Sequence, residues 1–157
     1  MTSIIRVRAL LPTISRLKFS SRSGTASQCE WSGEGYGSVT VSEDDQVRCF
    51  HVRFHEEGHF ALAGQSREVA FRNVYRWELE EDRLRLFHER RGREAAVWLF
   101  DLIEAEDGSG LVAAAPHLCG EDRYTARLAV NSDGFALDWR IQGPRKDESI
   151  AYRYFIR

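Results

Sequence analysis

Apolar and polar residues alternate one by one along much of this 157-residue chain. Successive side chains of a strand point to opposite faces, so a period of two marks a strand with one buried face. Residues 69–79 show it best. Val69, Phe71, Asn73, Tyr75, Trp77 and Leu79 take the odd positions, with Arg72, Arg76 and Glu78 between them. A helix would scatter those aromatic rings around its circumference. The split recurs in Phe135, Leu137, Trp139 and Ile141, in Ile150, Tyr152, Tyr154 and Ile156, and in Phe50, Val52 and Phe54. Less regular strands are expected over 17–19, 38–41, 60–63, 84–88, 96–102 and 111–115.

Turn chemistry punctuates these runs. Glu56-Glu57-Gly58, Glu81-Asp82, Arg91-Gly92, Asp107-Gly108 and Ser132-Asp133-Gly134 all read as hairpin turns. The spacing is short and no long amphipathic helix intervenes, so the strands are expected to run up and down in an antiparallel sheet. One short helix is expected over 3–11, stopped before Pro12. Residues 20–38, rich in Ser and Gly, read as loop. The sum is an all-β chain of roughly eight to ten strands in a single domain, 1–157. Closure would remove the sheet edges, and about eight strands make a barrel that is either filled or holds one small ligand. A two-sheet sandwich is the alternative.

Composition narrows the function. Nine Phe, five Tyr and four Trp supply bulk for a core. Lys and Arg total 22 and Asp and Glu total 24, a net charge of −2 that gives no drive toward nucleic acid or an anionic membrane. No run of about 18 apolar residues is present, which excludes a conventional spanning helix. Three cysteines, Cys29, Cys49 and Cys119, fit reduced thiols in a cytoplasm better than a disulfide framework. Residues 1–28 carry Arg6, Arg8, Arg16, Lys18 and Arg22 and no acid, a composition shared with mitochondrial transit peptides. The simpler reading is a first element covering one end of the fold.

A small-molecule site is an apolar cavity with a few polar groups, so polar residues on inward faces are the candidates. Asn73 and Tyr75 lie in the 69–79 stripe, and His88 continues the face of Leu84 and Leu86. Asp122 and Tyr124 lead into Ala126, Leu128 and Val130, while Tyr152 and Tyr154 sit between Ile150 and Ile156. His117, Cys119 and Asp122 are close in sequence, as are His51, His55 and His59, but neither group has the paired spacing of a zinc site. Neither a metal nor a cofactor is expected. Cys119 beside His117 could act as a thiolate nucleophile, with no geometry to support it. Gly143-Pro144-Arg145-Lys146-Asp147 reads as a turn, or as two cations able to hold an anionic group at a barrel mouth. Arg90-Arg91-Gly92-Arg93 reads as a solvated hairpin tip.

Four patterns follow one another: Phe54-x-Glu56-x-Gly58, Tyr75-x-Trp77, His117-x-Cys119-x-x-Asp122-x-Tyr124, and Trp139-x-x-x-Gly143-Pro144-Arg145-Lys146-Asp147. Together, over roughly residues 50–157, they resemble a family of small, mostly bacterial proteins, the domain of unknown function 6314. The resemblance implies a lipocalin-like (calycin-type) barrel with a cavity, and no activity. The Gly-x-Trp opening common in lipocalin-type barrels is absent, so the amino-terminal third departs from that pattern.

The expectation is a lipocalin-like antiparallel barrel that binds a small, partly apolar ligand. Its site would be lined by Asn73, Tyr75, His88, Asp122, Tyr124, Tyr152 and Tyr154, with His117, Arg145 and Lys146 near one rim. One rival is a barrel enzyme with Asp122 or His117 as general base and a tyrosine as acid. The other is a non-catalytic interaction module with a filled core. Nucleic acid and membrane are not expected as partners, the expected compartment is the cytoplasm, and a homodimer is the candidate assembly.

Overall fold

The computed structural model describes residues 2–25, 27, 32–46 and 49–157, excepting the side chains of 45, 46 and 49. Cys29 lies outside the described residues. Eleven antiparallel strands follow one helix: α1 (Ser3–Leu10), β1 (Ile14–Ser23), β2 (Gly33–Gln46), β3 (Cys49–Leu62), β4 (Glu68–Leu79), β5 (Leu84–His88), β6 (Val97–Glu104), β7 (Leu111–Ala113), β8 (His117–Cys119), β9 (Asp122–Asn131), β10 (Gly134–Gln142) and β11 (Asp147–Ile156). Strands β1 to β6 are ordered as in sequence, β11 returns to pair with β1, and β10 pairs with both β11 and β9. β9 meets β7, which continues to β6, so ten strands close a barrel. The short β7 and β8 share one edge of β9, β8 lying nearer the start of β9.

The alternation places the aromatic stripes inside as expected. Phe54, Trp77 and Phe135 have no exposed surface. Their rings meet at 5.7 to 6.5 Å between centroids, in tilted and edge-on contacts. The stripe of β4 ends sooner than the sequence suggests: Val69 is 59% exposed, at the end of the barrel away from α1.

The opposite end is closed by the amino-terminal segment. Thr2 caps α1 by accepting from the Ile5 amide, and Pro12 ends it in a short 3₁₀ turn, Leu11–Thr13. Ile4, Val7 and Leu11 are buried in the main core cluster. The Ile4 amide donates to Glu104 Oε1 at 2.8 Å, and Arg8 Nη1 donates to the Glu80 carbonyl at 3.3 Å. These contacts anchor the helix to β6 and to the β4–β5 turn. No helix among the described residues is long and apolar enough to cross a membrane.

Two sequence expectations change here. The Ser- and Gly-rich stretch is not one long loop, since β1 runs to Ser23 and β2 begins at Gly33. Glu56-Glu57-Gly58 is not a turn but the middle of β3. Its turn-like composition has another cause. Gly58 is the direct cross-strand partner of Gly37, and a Cβ on either would run into the backbone of the other strand. The glycine serves a close approach of two strands rather than a reversal. With no turn between them, His51, His55 and His59 all stand on one strand. They lie along the outer face of β3, beside Glu78, Ser42 and Tyr36 respectively.

Candidate functional site

Continuing β3 through the supposed turn puts Glu56 on the inward stripe of Val52 and Phe54. The side chain is 1% exposed. Tyr154, on β11, donates its hydroxyl to Glu56 Oε2 at 2.6 Å. Asn73 is the direct cross-strand partner of Glu56 on β4. Burial pushes the Glu56 carboxyl up to about 8, against the opposing pull of hydrogen bonding from Tyr154 and Asn73. Oε1 is buried and has no hydrogen bond of good geometry. At neutral pH the group is thus mostly a neutral acid, held inside a barrel.

The other polar groups form a layer around it. The Tyr75 and Tyr152 hydroxyls lie 3.3 Å apart. The rings of Tyr152 and Tyr154 stack at 5.7 Å with 4° between planes, and Tyr75 meets Tyr152 edge-on at 6.3 Å. Burial pushes the ionisation of all three phenols to higher pH, and Glu56 adds to that shift. His88 stacks on Tyr75 at 4.7 Å. Burial, helped by the charge of Arg90, holds His88 below the ordinary imidazole range, so it is neutral at pH 7. His88 Nε2 and the indole nitrogens of Trp77 and Trp139 are buried without a hydrogen-bond partner. Phe19, Phe60 and Phe71 stand above this layer toward the mouth, where Phe19 stacks on Phe60 at 5.5 Å and touches Tyr152 at 5.4 Å.

The remaining expected residues gather at the rim. His117 on β8 sits edge-on to Trp98 at 4.7 Å and to Tyr124 at 5.7 Å. Asp122 pairs in register with Cys119, and His117 with Tyr124. The Asp122 carboxylate faces Lys146 Nζ at 3.6 Å. Gly143-Pro144-Arg145-Lys146 is the β10–β11 turn, closed by the Gly143 amide donating to the Lys146 carbonyl at 2.8 Å. Arg145 and Lys146 are both exposed there, and Cys119 is an exposed free thiol. Asn73, Tyr75, His88, Tyr152 and Tyr154 thus share the interior, while His117, Asp122, Tyr124, Arg145 and Lys146 share the mouth. Among the described residues, no three His, Cys, Asp or Glu side chains converge as a metal site.

Glu56 is the residue sequence reasoning missed. The signal was present: Val52, Phe54, Glu56 and Phe60 share parity, so the alternation alone points Glu56 inward. A second acid, Glu148, is also buried and inward-facing near the mouth, opposite Ile141 of β10.

A family model described as a family of unknown function (DUF6314) matches residues 18–155. The chain belongs to that family. The match reaches well into the amino-terminal third, so the second half of β1 and all of β2 lie within the matched region although no Gly-x-Trp opening marks them. No curated protein and no solved structure matches the chain.

Proposed function

We propose that this family member binds a small, partly apolar molecule inside the barrel, between the helix-plugged end and the open mouth. The observation that carries the reading is the unpartnered polar set on the inner wall: Glu56 Oε1, His88 Nε2 and Trp139 Nε1. A buried polar atom without a hydrogen bond costs about 1–3 kcal/mol, and native interiors contain few of them. Several in one layer, beside three phenol hydroxyls and flanked by aromatic rings, match a site whose remaining partners a ligand supplies. The plugged end is purely structural on this reading, and entry is through the rim of His117, Asp122, Tyr124 and Lys146.

Native mass spectrometry of the full chain as purified, before and after extraction with organic solvent, tests the reading. A retained small molecule is expected, lost on extraction and no longer held by a Glu56→Leu, Trp139→Phe variant that remains folded by circular dichroism. Failure to retain or rebind any small molecule, with the wild-type interior protected and dry, would favour the filled interaction module. The enzyme reading gains no comparable support, because Asp122 faces Lys146 at the rim and not His117.

A further inference from the structure

We propose that the molecule held in the barrel is an organic cation, an amine or amidine on an apolar body, with its charged head against Glu56 and its body among the rings of Tyr75, Trp139, Tyr152 and Tyr154. The proposal rests on the binding reading above and gives the ligand a charge.

The first support is the sign of the wall. Strand parity sends every Lys and Arg of the described strands to the outer face. Lys18, Arg53, Arg76, Arg127, Arg140 and Arg153 all alternate with inward residues such as Phe19, Phe54, Trp77, Leu128, Trp139 and Tyr152. Besides the phenols and His88, which burial keeps neutral, the inward ionisable groups of this part of the barrel are acids: Glu56 in the interior, and Glu148 and Asp122 toward the mouth. An anionic head group would be desolvated in a low-dielectric interior with no inward Lys or Arg to offset it, and would hold Glu56 in its neutral form. A cation would meet a carboxyl already oriented by Tyr154, whose buried Oε1 has no hydrogen bond of good geometry.

The second support is the aromatic lining. Ring faces carry negative charge density and attract ammonium and guanidinium-like groups, more so when these are desolvated. Trp139 packs against Tyr152 at 5.7 Å and Tyr75 at 6.1 Å, and Tyr152 stacks on Tyr154, so these rings form one cluster beside the Glu56–Tyr154 pair. The phenol hydroxyls offer acceptors for the remaining N–H groups of the head.

Binding then moves a proton. The titratable groups facing Glu56 are Tyr154 and Tyr152 from β11 and Tyr75 from β4, all held above the ordinary phenol range by burial and so neutral while Glu56 titrates, and β2 presents Val39. A cation arriving at the carboxyl favours its ionised form and expels the proton to solvent. Amine affinity therefore rises with pH by up to about tenfold per pH unit until the free carboxyl is itself ionised, near pH 8, and then levels.

The test compares 2-phenylethylamine, 3-phenylpropan-1-ol and 3-phenylpropanoate by calorimetry on the full chain, from about pH 6 to about pH 8.5. The amine is expected to bind at least about tenfold more tightly than the carboxylate at pH 8, with the pH profile just given. Glu56→Gln, which keeps the shape of the neutral acid, is expected to weaken the amine by about tenfold or more and to flatten its profile. The wild-type profile needs no variant, so the proposal stays testable if Glu56→Gln does not fold. Equal or tighter binding of the carboxylate, a flat wild-type profile, or no uptake of the amine would overturn the cation. If the alcohol or the carboxylate is taken up and the amine is not, barrel binding stands and only the cation falls. If none of the three is taken up and the purified chain carries no small molecule, both readings fall.

Discussion

Replacing Glu56 by Gln should change how the stability of the fold depends on pH, and the structure sets the size of the effect. Glu56 is 1% exposed, and its carboxyl titrates near 8 in the folded protein instead of its ordinary 4.5. The folded chain therefore keeps a proton that the unfolded chain has released. Stability contributed by this site is fully present below about pH 4.5 and is lost as pH rises toward about 8. One pH unit of such mismatch is worth about 1.4 kcal/mol, so the whole window is worth on the order of 5 kcal/mol at most. That is a large share of the 5–15 kcal/mol typical of a domain. Burial lowers the titration of His51 and His88, which acts with the opposite slope at lower pH, so the informative quantity is the difference between wild type and variant. Urea melts of both proteins at intervals from about pH 5 to about pH 9 would measure it. The expected result is a variant that gains on the wild type steadily as pH rises, by several kcal/mol near pH 8.5, with the gain levelling above that. Parallel stability curves across the window would refute the burial of an acid in the barrel, and a wild type that gained on the variant would reverse the sign of the argument.

Trp77→Ala and Trp139→Ala should each cost about 3–5 kcal/mol in denaturant melts, since both rings are buried among aromatic neighbours; losses under about 1 kcal/mol in both would contradict their packing. Leu11→Ala should cost about 2–5 kcal/mol, because Leu11 has no exposed surface beneath the amino-terminal plug, and an unchanged melt would mean that the plug is not docked in solution. The double change Arg145→Gln with Lys146→Gln alters an exposed turn and should shift stability by no more than about 0.5 kcal/mol. Because Lys146 already faces Asp122, its loss should speed entry of an amine at low salt; unchanged or slower entry would contradict entry past this rim.

Alternation by itself determined the strands, their antiparallel run and most of the inner wall. Trp77, Phe135, Trp139, Tyr152 and Tyr154 are inside because their parity puts them with apolar neighbours and leaves the arginines out. Pro12 ended the helix, and Gly143-Pro144 set the last turn, both through local backbone constraints that need no fold to act. What the chain could not reveal locally is closure. β11 lies against β1, and β9 against both β10 and β7, only when strands distant in sequence find one another. Glu56 depended on the same step. Glu-Glu-Gly suits a turn and suits equally a strand pinched against a glycine of its neighbour, and only the pairing of Gly58 with Gly37 decides between them. Once β3 continues, Glu56 meets a tyrosine 98 residues away, and the low dielectric of the closed barrel converts an ordinary surface acid into a buried neutral one. Burial is a property of the whole assembly, so the residue that gives the interior its chemistry was legible in type and parity but not in environment.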